Sequence, residues 1–148
     1  MKELPELSKP EYDVLRILWK HQELSVREVH DLLAAETAWA YTTTKTVMDR
    51  MVKKQLLVRE NMHGVFVYQP LVTRPRGLAR LVHYFAGRVL ETDHKTVVSM
   101  FAGSDAISDS ELKELKALLK ELDEKELDNK ELNKNKPNKK ASTKEQGK

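Results

Sequence analysis

The chain contains no cysteine in its 148 residues, so it builds neither a disulfide framework nor a thiolate metal site. That zero says nothing about redox compartment. No apolar run approaches the roughly 18 residues needed to span a bilayer, and the opening Met1-Lys2-Glu3-Leu4-Pro5-Glu6 lacks the apolar core of a secretory leader. A soluble cytoplasmic protein without membrane insertion is expected. Charge of one sign is also scarce: 26 basic residues stand against 23 acidic ones, a net of +3. Catalytic signatures are missing too. His21, His30, His63, His83 and His94 form no HExxH and no i, i+4 pair with a carboxylate at ligand spacing, and there is neither a GxSxG nor a phosphate loop. No enzyme, no metal and no cofactor is expected.

What the chain does have is a stretch over 42–54 with helical periodicity. The Thr44 methyl, Val47, Met48, Met51 and Val52 fall on one stripe, and the opposite face carries Thr42, Thr46, Asp49, Arg50 and Lys53, with Thr43 and Lys45 on the flanks. Short hydroxyls come first and cations last. Threonines meet base edges and thymine methyls, while Arg and Lys are drawn to phosphate, so the stretch reads either as a DNA recognition helix or as a surface helix with a solvated face. The segment 42–59 adds local weight: Lys45, Arg50, Lys53, Lys54 and Arg59 stand against the single acid Asp49, a local +4.

The flanking chain supplies the context. Ser8-Lys9-Pro10-Glu11 and Ser25-Val26-Arg27-Glu28 are capping boxes, predicting one helix that ends near His21 or Gln22 and a short second helix over about 26–36. Trp19 and Tyr12 read as core and rim. The short second helix and the hydroxyl-rich third, joined by a few residues, make a helix-turn-helix. Residues 56–61 and 65–69 are β-prone and are separated by Met62-His63-Gly64, a three-residue hairpin loop in which Gly64 supplies positive φ. Such a hairpin is a wing, placing Arg59 and His63 to reach the DNA backbone, although a turn histidine can equally be a solvated one.

Pro70 and Pro75 mark a boundary, after which Leu78, Leu81, Val82, Phe85 and Val89 form one stripe and Val97, Val98, Met100 and Phe101 another, with Gly103 as a helix stop. Ser108-Asp109-Ser110-Glu111 is a third capping box, opening a seam of Leu112, Leu115, Leu119 and Leu122. A block this short closes a core poorly alone. Its stripes either pack against a second copy or fold back onto the winged unit. From Asp123 apolar residues nearly vanish, predicting a charged disordered tail, the last helix fraying near Leu127, whose lysines either add DNA attraction or do nothing. The fold expected is mainly α with a small β-hairpin wing: a winged helix-turn-helix domain over 1–71, an all-α dimerisation domain over 72–122 and a tail over 123–148.

These residues resemble a known family. Leu7-Ser8-Lys9-Pro10-Glu11-Tyr12-Asp13-Val14-Leu15, the spaced Ile17-Leu18-Trp19, the run from Thr44 through Lys54, Val65-Phe66-Val67-Tyr68 and Val97-Val98-Ser99-Met100-Phe101-Ala102 are similar to the BlaI/MecI/CopY penicillinase repressors. The resemblance implies a homodimeric repressor bound to double-stranded DNA at an inverted-repeat operator. It implies Thr42, Thr43 and Thr46 as base readers and Lys45, Arg50 and Lys53 on phosphates, with Arg50 alternatively bracing the fold. Dimerisation falls to Leu78, Leu81, Val82, Phe85, Val97, Phe101, Leu112, Leu115 and Leu119. Relatives paired with a membrane β-lactam sensor metalloprotease are cleaved between an Asn and a Phe. The matching bond here is Met100-Phe101, with the Phe kept and the Asn replaced. Copper-responsive relatives bear a cysteine-rich motif absent here, and Gln55 stands where many relatives have Gly. The competing reading is a winged-helix protein-assembly module without specific DNA binding.

Overall fold

The computed structural model of the protein describes residues 3–134. In chain order it comprises α1 (Lys9–His21), α2 (Val26–Leu33), α3 (Tyr41–Lys53), β1 (Leu57–Met62), β2 (Val65–Pro70), α4 (Arg74–Tyr84), α5 (His94–Phe101) and α6 (Asp109–Lys134). A five-residue π-helical turn, Phe85–Val89, prolongs α4. The architecture is the expected one, helical with a hairpin wing.

All three capping boxes form. Ser8 and Ser25 accept from the amides of Glu11 and Glu28, whose carboxylates accept in return from the serine amides, and Ser108 and Glu111 repeat the exchange at the head of α6. Each satisfies two amides that a helix start leaves unpaired and is worth about 1 kcal/mol. α2 stops at Leu33, short of the expected residue 36, because the amides of Glu36 and Thr37 both turn back onto the Leu33 carbonyl, which the Thr37 hydroxyl also reaches.

α3 ends in a Schellman motif. The Leu56 amide donates to Met51 O at 2.9 Å and the Gln55 amide to Val52 O at 3.1 Å, which requires Gln55 to sit at φ 63°. The left-handed region costs a side chain about 1–2 kcal/mol, offset in glycine by the greater freedom of its unfolded chain. Gln55→Gly is therefore expected to raise Tm by about 2–4 °C, read by thermal unfolding, and an unchanged or lower Tm would remove strain from this account.

The wing is tighter than its sequence suggests. Met62 pairs with Val65, leaving a two-residue turn of His63 (φ 55°) and Gly64 (φ 86°) instead of the expected three-residue loop. Positive φ at both positions is the primed turn that matches strand twist, and histidine is among the residues that tolerate it. Asn61 Oδ1 accepts from the Gly64 amide at 2.9 Å. Leu24 bridges to Tyr68 in antiparallel fashion, fastening the α1–α2 connection to the inner edge of the hairpin.

Two apolar clusters hold the chain. The first joins Val14, Leu15, Leu18, Val29, Leu33, Met48, Met51, Leu57 and Tyr68, all essentially inaccessible. The second joins Ala79, Val98, Leu112, Leu115, Leu118 and Leu119 with Leu4, so the N-terminal segment crosses to the later helices, and its Leu4 carbonyl accepts from Arg80 Nε at 2.7 Å. Between the clusters, Trp19 Nε1 donates to Val72 O at 2.8 Å and the indole lies against Gly77, where a Cβ would stand 2.6 Å from two ring carbons. Only glycine lets α4 approach that ring.

α6 departs most from expectation. It continues as helix to Lys134, well past 123 and Leu127, because Glu, Lys and Leu are good helix formers and no proline or glycine interrupts them. Exposed charged helix and solvated coil share one composition, and that is why the sequence reads as a tail. The lysines beyond 134 lie outside the described residues.

Candidate nucleic-acid interface

The inward side of α3 buries Thr44, Met48 and Met51 in the first cluster, with Val47 and Val52 packed partly against it. That packing turns Thr42, Thr43, Lys45, Thr46, Arg50 and Lys53 to solvent, all of them exposed. Thr46 Oγ1 donates to Thr42 O at 2.9 Å, so its hydroxyl proton is spent within the helix and its methyl and lone pairs remain outward. No side chain caps the α3 N-terminus at Ala40, so the positive end of its dipole is uncompensated.

The local +4 divides once partners are visible. Lys54 Nζ sits 2.8 Å from the buried Glu11 carboxylate, and Arg59 lies 3.8 Å from Asp49 while its guanidinium covers the Phe66 ring at 4.4 Å. Burial pushes the Glu11 carboxyl upward, but the hydrogen bonds from Lys54 and Ser8 outweigh it and hold the group below its ordinary value. Asp49 also accepts from the Tyr68 hydroxyl at 3.1 Å. Burial raises the Tyr68 phenol above its ordinary value, with Arg59 pulling the other way. The one acid of the segment is thus turned toward the wing. Among the described residues, Lys45, Arg50 and Lys53 have no acidic partner, so Arg50 takes no bracing ion pair.

Sequence reasoning missed a second group beside this face. The Arg27 guanidinium of α2 lies 4.5 Å over the Tyr41 ring, which His30 meets edge-on at 5.7 Å, and His30 Nδ1 is 2.8 Å from Thr44 Oγ1. Arg27 and His30 share a helix face at i, i+3, a spacing that could have drawn attention to them. They fix the entry of α3 and add a cation at its N-terminal end. On the wing, His63 is exposed at the tip, whereas Arg59 is occupied as above.

The residues expected to meet a second copy fall into two sets. Val97, Leu112, Leu115 and Leu119 are buried within the chain itself, the three leucines in the second apolar cluster. Val82 and Leu78 are half-buried. Leu81 (55% exposed), Phe85 (42%) and Phe101 (38%) remain open, together with Val89, Leu90 and Met100. Of the residues expected to be free of ligand geometry, His83 and His94 are brought by the fold into contact with Asp123.

A family model described as penicillinase repressor matches residues 7–121, spanning α1 through most of the leucine seam of α6. The chain belongs to the penicillinase repressor family. It is 30% identical over 121 residues to a penicillinase repressor of Bacillus licheniformis, covering 82% of this chain and 94% of that one. It is 23% identical over 116 residues to the methicillin resistance regulatory protein MecI of Mammaliicoccus sciuri, covering 78% and 94%. Among solved structures, the DNA-binding domain of the repressor BlaI aligns at 32% identity with a TM-score of 0.44, over 50% of this chain and 90% of that one. These relatives are named as repressors and regulators, and the family is one of repressors, not enzymes. No helix among the described residues is long and apolar enough to cross a membrane.

Proposed function

We propose that the protein acts as a homodimeric, sequence-specific repressor, each copy laying α3 in the major groove of one half of an inverted-repeat operator. The observation that carries this reading is the outward face of α3: three threonines beside three cations without acidic partners, on a helix held rigid from behind by Met48 and Met51. Threonines suit base edges and methyls, and Lys45, Arg50 and Lys53 suit flanking phosphates. Residues 1–71 form the DNA-reading unit, 72–122 the dimerising unit, and α6 extends beyond it. Leu81, Phe85 and Phe101 supply apolar surface for the second copy, since open apolar area of this kind is normally covered in an assembly. Release follows from proteolysis at Met100-Phe101 by a membrane sensor metalloprotease, which would cut α5 beside that surface.

Footprinting on the DNA upstream of the protein's own gene tests binding and symmetry together, with two protected half-sites expected. In the same assay Thr46→Ala should change discrimination at one half-site position by about 1–3 kcal/mol, whereas Lys53→Ala should weaken every sequence alike. If both substitutions act equally on all sequences, Thr46 does not read bases.

A further inference from the structure

The later helices gather a set of ligating side chains remote from α3. His83 on α4 points Nε2 at two carboxylates of α6, 3.1 Å from Asp123 Oδ1 and 3.3 Å from Glu126 Oε2. Asp123 and Glu126 are one helical turn apart and so share a face. All three donor atoms lie within 4.8 Å of one another. Donors held about 2.0–2.2 Å from a tetrahedral ion stand about 3.3–3.6 Å from each other, so the separations of 3.1 and 3.3 Å found here need to open by only a few tenths of an ångström. His94, at the start of α5 with only 11% of its side chain exposed, brings Nδ1 to 2.8 Å from Asp123 Oδ2, the opposite oxygen. That is the arrangement by which a second residue orients a ligating carboxylate. The cluster borders an open groove of about 940 Å³ that leaves room for a water as fourth ligand.

We propose that His83, Asp123 and Glu126 form a binding site for a divalent first-row transition ion of the zinc type, with His94 as a positioning residue. The donor set is one imidazole and two carboxylates, borderline-hard ligands that suit such ions, and two carboxylates balance the ion's charge. Lys130 lies 3.9 Å from Glu126 on the far oxygen and is displaced without loss, being on the surface. An ion here pins α6 to α4 and, through His94, to α5, so its binding free energy adds to the stability of that block. The site needs no assumption about DNA.

The test is zinc titrated calorimetrically into chelator-stripped full-length protein, with unfolding scanned alongside. One equivalent per chain is expected to bind, with Tm raised on the order of 5 °C at saturating zinc. His83→Gln and Glu126→Gln should each abolish the zinc-dependent rise while leaving the metal-free Tm close to that of the parent. Glu126 is half exposed, so its substitution keeps the readout valid even if the His83 variant folds poorly. His94→Ala should weaken binding about 10-fold without changing stoichiometry. Absence of heat and of any Tm rise in the parent protein overturns the proposal. So does a rise that persists undiminished in Glu126→Gln, which would place the ion elsewhere.

Discussion

A protein carrying Phe101→Asp is expected to sediment as a monomer and to bind its full operator about 10²–10⁴-fold more weakly than the parent. Phe101 ends α5 and belongs to neither apolar cluster, so the substitution leaves both cores intact. Its open surface is what a second copy would cover in the proposed dimer, and a carboxylate placed in an apolar contact is costly to desolvate. The size of the loss follows from linkage: once one half-site is held, the second reading helix is present at an effective concentration set by the dimer, and that advantage vanishes for a monomer. Binding to an isolated half-operator should barely change. Phe85→Asp on the adjoining π-helical turn should behave the same way. A Phe101→Asp protein that remains a tight dimer with normal operator affinity would sink the assignment of this face.

The second large effect is ionic. With Lys45, Arg50 and Lys53 from each copy on phosphate, the dimer neutralises about six charges, and log affinity should fall with log salt at a slope near about −5. Between 50 and 200 mM salt this amounts to about 10³-fold, measurable by fluorescence anisotropy on labelled operator. A flat dependence would return the winged helix to the role of a protein-assembly module. A slope of about half the expected value would mean that only one copy engages. Lys54 and Arg59, tied to Glu11 and Asp49, are expected to contribute little to the slope, a distinction that the local +4 of the sequence does not draw.

What is legible in the sequence is what is local. Ser8 with Glu11, Ser25 with Glu28 and Ser108 with Glu111 are three residues apart, so their reciprocal bonds can be read directly and set three helix starts correctly. The stripe of Thr44, Met48 and Met51 fixes by geometry which side of α3 faces out. Long-range pairings cannot be read this way. Lys54 and Glu11 are separated by 43 residues, and His83 and Asp123 by 40. The true count of free cations and the ligand cluster therefore emerge only when helices are packed. Turn length fails for another reason: a glycine marks the positive-φ position, but His63 also adopts it, and that moves the register by one residue. The exposed charged run after Asp123 is ambiguous in principle, since neither helix nor coil there buries apolar surface.

The seating of Trp19 on Gly77 has a mechanical consequence. α3 packs in the first cluster and α4 and α6 in the second, and Trp19 against Gly77 is one of the joints that set the angle between them. A 13-residue helix such as α3 is about 20 Å long, so a tilt of about 10° moves its far end by about 3.5 Å. That is about one base-pair step, whereas half-sites on one DNA face must be spaced by whole helical turns of about 34–36 Å. In the proposed dimer, one side chain's thickness at residue 77 would then act as the gauge for operator spacing, far from any base that α3 would touch.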